Sequence, residues 1–131
     1  MTYHFIIPGT PITKKNSMQM AYNPKTKRWF PVPSKAYKAY EKKAKEAFKE
    51  GAPSEPINYP VRVKCAYFLP LNKDGSKPKK APDLTNLLGA TNDILVKYHI
   101  LADDNIEIIE SHDGSYAMFT AKEPFTDIVI E

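Results

Sequence analysis

The sequence predicts an α+β fold in one small domain, with a mixed β-sheet and two main helices packed on it. Three observations carry that expectation. Short β-rich runs alternate with segments of helical period, in the order strand, hairpin, helix, strand, helix, strand, strand. The twelve prolines, about twice ordinary usage, sit at the boundaries of those segments rather than inside them. A chain of 131 residues makes one domain, here taken as 1–131, and leaves no room for two.

Tyr3 to Ile7 is short, β-rich and stopped by Pro8-Gly9, which marks a first strand. The stretch from Thr10 to Pro33 is loop-like. Its turn signal, Asn23-Pro24-Lys25-Thr26, is flanked by Tyr22, Trp29, Phe30 and Val32, as in a hairpin. Ser34 to Glu50 is the clearest helix, with Ser34 placed to cap its start and Gly51 just past its end. Tyr37, Tyr40, Ala44, Ala47 and Phe48 recur on one face, and Lys38, Lys42, Lys45 and Lys49 lie on others. From Pro60 to Leu69, Val61, Val63, Cys65, Tyr67 and Leu69 alternate with Arg62 and Lys64, the pattern of a half-buried strand. A Lys-, Gly- and Pro-rich loop then runs from Pro70 to Pro82. Thr85 to Lys97 forms the second helix, burying Leu87, Leu88, Thr91, Ile94 and Leu95, although Gly89 inside it costs about 1 kcal/mol relative to Ala. Two further strands are expected near Asn105–Ser111 and Glu123–Ile130.

Charge is unevenly placed. The net +4 combines +12 over residues 1–80 with −8 over residues 81–131. Such a division suggests a polyanion-binding surface beside a carboxylate cluster. One cysteine, Cys65, excludes an internal disulfide and hence a stapled secreted scaffold. No apolar run reaches the ~20 residues of a membrane span, and no signal peptide is recognisable, so a cytoplasmic location and no membrane partner are expected.

The chemistry concentrates in Pro82-Asp83-Leu84-Thr85-Asn86-Leu87 and in Asp103-Asp104-Asn105. Asp83 precedes a helix and the Asp103-Asp104 pair precedes a strand, so these carboxylates stand at element ends where side chains can converge. Gathered carboxylates repel one another, and a divalent cation relieves the repulsion. Oxygen donors without a Cys/His set point to Mg²⁺, with Mn²⁺ as a substitute, and carboxylate-held Mg²⁺ suits phosphodiester hydrolysis. Taken alone, the same residues also fit an N-cap at Asp83 and an ordinary turn at Asp-Asp-Asn.

Pro82 to Leu87, then Asp93, then Leu101-Ala102-Asp103-Asp104, together resemble the core of the RusA-type Holliday junction resolvases. In that family an Asp-Leu/Ile-Asp-Asn-Leu segment opens a helix, a further aspartate lies within it, and an Asp-Asp pair follows ten residues later. The resemblance extends to Ile7-Pro8-Gly9-Thr10-Pro11-Ile12-Thr13-Lys14-Lys15-Asn16 and to the helix beginning at Ser34. It implies a RusA-like fold and a homodimeric, Mg²⁺-dependent endonuclease of recombination and repair that resolves four-way DNA junctions, often of phage or prophage type. Asp83 and Asp104 match the family's metal-ligand positions, and Asp103 matches the first member of the pair; all three are the expected catalytic and metal-binding residues. Two positions depart from the pattern. Thr85 replaces a second aspartate, and Gly89 replaces a catalytic lysine. The Thr85 hydroxyl, Asn86, Glu107 or Lys80 are candidate substitutes. A non-catalytic branched-DNA-binding protein and a nuclease acting on forks or flaps remain as alternatives.

Lys14, Lys15 and Asn16 in the first loop, and Lys73, Lys77, Lys79 and Lys80 before Asp83, are the expected DNA contacts, because lysines neutralise phosphates without reading sequence. Trp29 and Phe30 fit either core packing or stacking on an unpaired base. His4, His99 and His112 have no metal or triad spacing, and His112 suits a turn. Cys65 suits the core.

Overall fold

Ten-residue β4 (Val61–Pro70) is the spine of the molecule. The computed structural model describes residues 1–13 and 18–131. Along β4 every odd residue from Val61 to Leu69 is buried and the even ones are not. One face therefore meets the core, as the alternation predicts.

β7 (Phe125–Ile130) pairs antiparallel with β4, and β1 (Tyr3–Pro8) pairs antiparallel with β7 at the outer edge. On the other side of β4 lie β5 (Ile109–Ser111) and β6 (Tyr116–Thr120), both parallel to it. A parallel neighbour cannot be reached by a tight turn. α2 (Leu84–Lys97) supplies the crossover, running back over the sheet between β4 and β5. α1 (Lys35–Lys49) packs against β1. Both helices bury one stripe in a common core with the strands: Tyr37, Tyr40, Ala44 and Phe48 from α1, and Leu87, Ile94 and Leu95 from α2. The mixed sheet with two helices on it is the α+β architecture read from the sequence.

Two sequence expectations are corrected. The strand expected over Asn105–Ser111 is only β5; residues 106–108 form a turn in which Asn105 O accepts from the N–H groups of Ile108 and Ile109. The sequence reading has no strand at β6, whose large Tyr116 and Met118 are exposed and whose burial does not alternate. Between β5 and β6 the edge of β4 is completed by side chains. His112 Nδ1–H donates to Val63 O at 2.8 Å, and Cys65 N–H donates to Ser115 Oγ at 2.9 Å. Backbone groups that would otherwise be unpaired are thus satisfied. Gly114, at φ +89, makes the turn between the two strands.

β2 (Met18–Asn23) and β3 (Arg28–Pro33) form the expected hairpin as a separate two-stranded sheet. None of its described side chains joins the core. Core packing of Trp29 and Phe30 is therefore overturned: both are exposed.

Buried hydroxyls tie the helices to the sheet. Tyr40 Oη lies 2.7 Å from Thr126 Oγ1, joining α1 to β7. Tyr67 Oη lies 2.6 Å from Thr91 Oγ1 and 3.1 Å from Leu87 O, joining β4 to α2. Tyr67→Phe deletes the second bridge and is expected to lower stability by roughly 1–2 kcal/mol, several degrees in Tm, as read by thermal unfolding.

Burial pushes the Cys65 thiol from 9.0 up to about 12. Burial, aided by the charges of Glu41 and Asp93, pushes Tyr37 from 10.0 to about 12, and burial raises Tyr40 and Tyr67 as well. In the unfolded chain these groups ionise at their ordinary values, so the folded state is favoured fully below about pH 9 and loses that advantage as pH rises. Alkaline titration followed by tyrosinate absorbance is expected to show Tyr37, Tyr40 and Tyr67 ionising only in a late step, coincident with loss of far-UV circular dichroism.

Candidate active site

α2 sets the geometry of the acidic residues. At its start the Asp83 carbonyl accepts from the N–H groups of Asn86 and Leu87 at 3.1 Å each, opening the helix. Asp83 occupies the N-cap position, yet its carboxylate makes no capping hydrogen bond. α1 provides the contrast: Ser34 Oγ accepts from Tyr37 N–H at 3.1 Å, as a cap should. The Asp83 carboxylate is thus exposed and uncommitted to the helix, and the positive end of the helix dipole favours its charge.

At the other end the chain turns through His99 (φ +62), and the N–H groups of Ile100 and Leu101 both return to Leu95 O. Ala102 N–H donates to Ile57 O, which anchors the following loop beside the start of β4. Asp103 then organises that loop with both carboxylate oxygens. Oδ1 accepts from Asp104 N–H at 2.7 Å, and Oδ2 accepts from the Asn105 amide at 3.1 Å. Asn105 Oδ1 in turn accepts from Glu107 N–H at 2.9 Å. Among the described residues the Asp104 carboxylate accepts no hydrogen bond, and it is exposed. Glu107 is exposed in the turn and not on a strand, which corrects its expected position.

Asp103 and Asp104 are therefore together, whereas Asp83 lies at the opposite end of α2. Fourteen helical residues span ~21 Å. Among the described residues no group of three or more His, Cys, Asp and Glu is gathered where it could hold a metal. The donors match a hard divalent cation in chemical type, being carboxylate oxygens without sulfur. Among the described residues, one chain does not bring enough of them together to enclose it.

Between those ends, Thr85 is exposed, and a side chain added at Gly89 would meet no atom within 4 Å. The position that departs from the resolvase pattern thus has room for a longer side chain. Asp93 is exposed on the same helix, and its charge contributes to the raised Tyr37 hydroxyl. α1 and α2 are clamped further along by Glu41, which accepts from both Lys97 Nζ and Tyr98 Oη.

Lys73, Lys77, Lys79 and Lys80 are all exposed on the loop that leads from β4 into Asp83. Lys77 Nζ sits 5.8 Å from the centre of the Phe119 ring. The loop has internal structure: Asn72 Nδ2 donates to Ser76 Oγ, and the Ser76 hydroxyl and N–H hold the Asp74 carboxyl below its usual range. Gly75, at φ +85, closes this turn. Lys14, Lys15 and Asn16 lie outside the described residues.

One polar feature escaped the sequence reading. Asn92 on α2 donates to His112 Nε2 at 3.2 Å, while His112 Nδ1 is engaged with Val63 O. His112 does sit at the turn expected of it, and the pair locks α2 to the β5–β6 connection. Only the helical position of Asn92, one residue beyond the buried Thr91, could have signalled it. No helix is long and apolar enough to cross a membrane among the described residues.

No curated protein compared with the chain matches it. The family described as endodeoxyribonuclease RusA matches residues 8–131, nearly the whole length that carries α2, its two acidic ends and the lysine loop. The chain belongs to the RusA endodeoxyribonuclease family.

Proposed function

We propose that this chain cuts four-way DNA junctions as a homodimer, with Asp83 of one protomer and Asp104 of its partner contributing to each metal site. The observation that carries this reading is the placement of two uncommitted carboxylates at opposite ends of one helix. A two-fold axis across α2 sets the start of one helix beside the end of its mate. The same operation generates two equivalent sites, which suits a two-fold symmetric substrate cut on two strands. Exposed apolar side chains flank both ends: Leu84 follows Asp83, and Ile106, at 86% exposure, follows the Asp103-Asp104 pair. A two-fold interface across α2 would cover both.

Each residue then has a distinct task. Asp83 and Asp104 offer the oxygens for Mg²⁺ or Mn²⁺. Asp103 is a positioning residue that fixes the loop through its two hydrogen bonds. Lys73, Lys77, Lys79 and Lys80, next in sequence to Asp83, seat the phosphate backbone. A bound divalent cation supplies Lewis-acid activation of water and charge neutralisation at the phosphoryl oxygens.

Asp83→Asn and Asp104→Asn are each expected to abolish Mg²⁺-dependent cutting of a synthetic four-way junction while retaining junction binding. Mixing the two variants under subunit exchange should recover cutting, because a mixed dimer holds one site with both aspartates intact. No recovery would place both ligands of each site within one protomer. Equal cutting of junction, fork and linear duplex by the unmodified protein would remove the junction preference.

Asp103→Asn keeps an acceptor for the Asp104 N–H and is expected to lose less activity than Asp104→Asn. The comparison is read from single-turnover rates on the same junction.

A further inference from the structure

The β2–β3 hairpin stands apart from everything described so far. It forms its own sheet, its described side chains are absent from the core, and its largest ones are exposed. The register places Met18, Met20 and Tyr22 on one face, with Trp29, Pro31 and Pro33 opposite them. Trp29 is 65% exposed and Tyr22 is 48% exposed. Their rings lie 5.1 Å apart at 58°, so each braces the other while leaving ring surface open to solvent. Single exposed apolar residues are ordinary on a protein surface, but a contiguous Met and aromatic face marks a contact surface.

Charge identifies what that surface meets. Residues 18–33 contain Lys25, Lys27 and Arg28 and no Asp or Glu. All three cations are exposed at the tip, directly beside the Tyr22–Trp29 pair. The tip forms a defined turn. Asn23 Oδ1 accepts from Lys25 N–H at 3.0 Å, and Lys27 adopts φ +54, in the left-handed region that a side chain seldom enters. An apolar protein partner would gain nothing from a purely cationic rim, whereas a nucleic acid offers phosphates to the rim and base faces to the rings.

We infer that this hairpin is a base-stacking wedge, with Trp29 as the stacking ring and Lys25, Lys27 and Arg28 gripping the adjoining phosphates. Bases within a linear duplex are stacked on one another, and a ring enters only where that stacking is already broken. A branch point is such a place, so the wedge discriminates branched from linear DNA through side chains other than the acidic ones. This inference rests on the branched-DNA reading above, and it assigns the selectivity to residues that the cutting chemistry does not use.

Trp29 is the chain's one tryptophan, so its emission reports on the wedge directly. In EDTA, where no cutting occurs, a four-way junction is expected to quench Trp29 emission and a linear duplex of the same arm sequence is not. In mobility-shift titrations Trp29→Ala should weaken junction binding about tenfold, within the range for loss of one stacked base, and leave duplex binding unchanged. Trp29→Phe should restore much of the difference. Lys25→Gln with Lys27→Gln should weaken junction and duplex binding alike.

Junction binding that persists with unchanged emission, and that Trp29→Ala does not alter, overturns the wedge and leaves the branched-DNA reading standing. Equal affinity of the unmodified protein for junction and duplex overturns both. Emission that shifts with protein concentration in the absence of DNA assigns the face to a second copy of the chain and overturns the wedge. Circular dichroism checks that Trp29→Ala keeps its fold, as expected for a side chain outside the core.

Discussion

Parallel pairing of β4 with β5 and β6 is the constraint on which the rest of the molecule depends. Two parallel strands cannot be joined by a short turn, so the chain must return across the sheet before it can pair again. α2 is that return. Its direction opposite to β4 follows from the topology, and so does the position of everything attached to its ends. The lysine loop and Asp83 fall where β4 finishes, and the Asp103-Asp104 loop falls where β4 begins. The Tyr67–Thr91–Leu87 hydroxyl bridge then fixes how α2 sits over the strand. A separation of the acidic residues along the helix is a consequence of strand order as much as of sequence.

The same topology gives the two halves of the charge distribution their places. The cations of the Pro70–Pro82 loop are exposed and reach Asp83 through the chain itself, while the acidic residues of the second half are concentrated after α2 begins. Two of the helix cations are paired with carboxylates. Lys97 is taken up by Glu41, and Lys49 lies 3.3 Å from Glu46. The lysines at 73, 79 and 80 have no carboxylate within ion-pairing distance among the described residues.

Much of this was legible in the sequence, and the exceptions have physical causes. Both helices announced themselves through apolar periodicity, α1 also through Ser34 and Gly51, and β4 through partial alternation. β6 did not, because an edge strand that turns its large residues outward lacks the alternation that marks a buried face. The loop after Asp103 was extended into a strand because Ile106, Ile108 and Ile109 have strand propensity. The Asn105 side chain and carbonyl hold the backbone in a turn instead. Trp29 and Phe30 defeated the rule that large aromatics are buried, which is the expected failure where a residue serves a contact rather than the core. At the acidic site, residue type was legible and distance was not. Asp83 and the Asp pair were expected to converge, but the helix read between them, α2, holds them apart at its two ends.

The composite edge of β4 has a consequence for motion. His112 and Ser115 complete that edge with side chains, so the backbone ladder is interrupted between Arg62 and Ala66 and its two portions are not one continuous ribbon. Hydrogen exchange should distinguish them: β5, three residues long, opens with the Asp103–Glu107 loop, whereas β6 and the amide of Cys65 stay protected with the sheet. One acidic end thus leads into the three-residue β5, and the other opens the fourteen-residue α2.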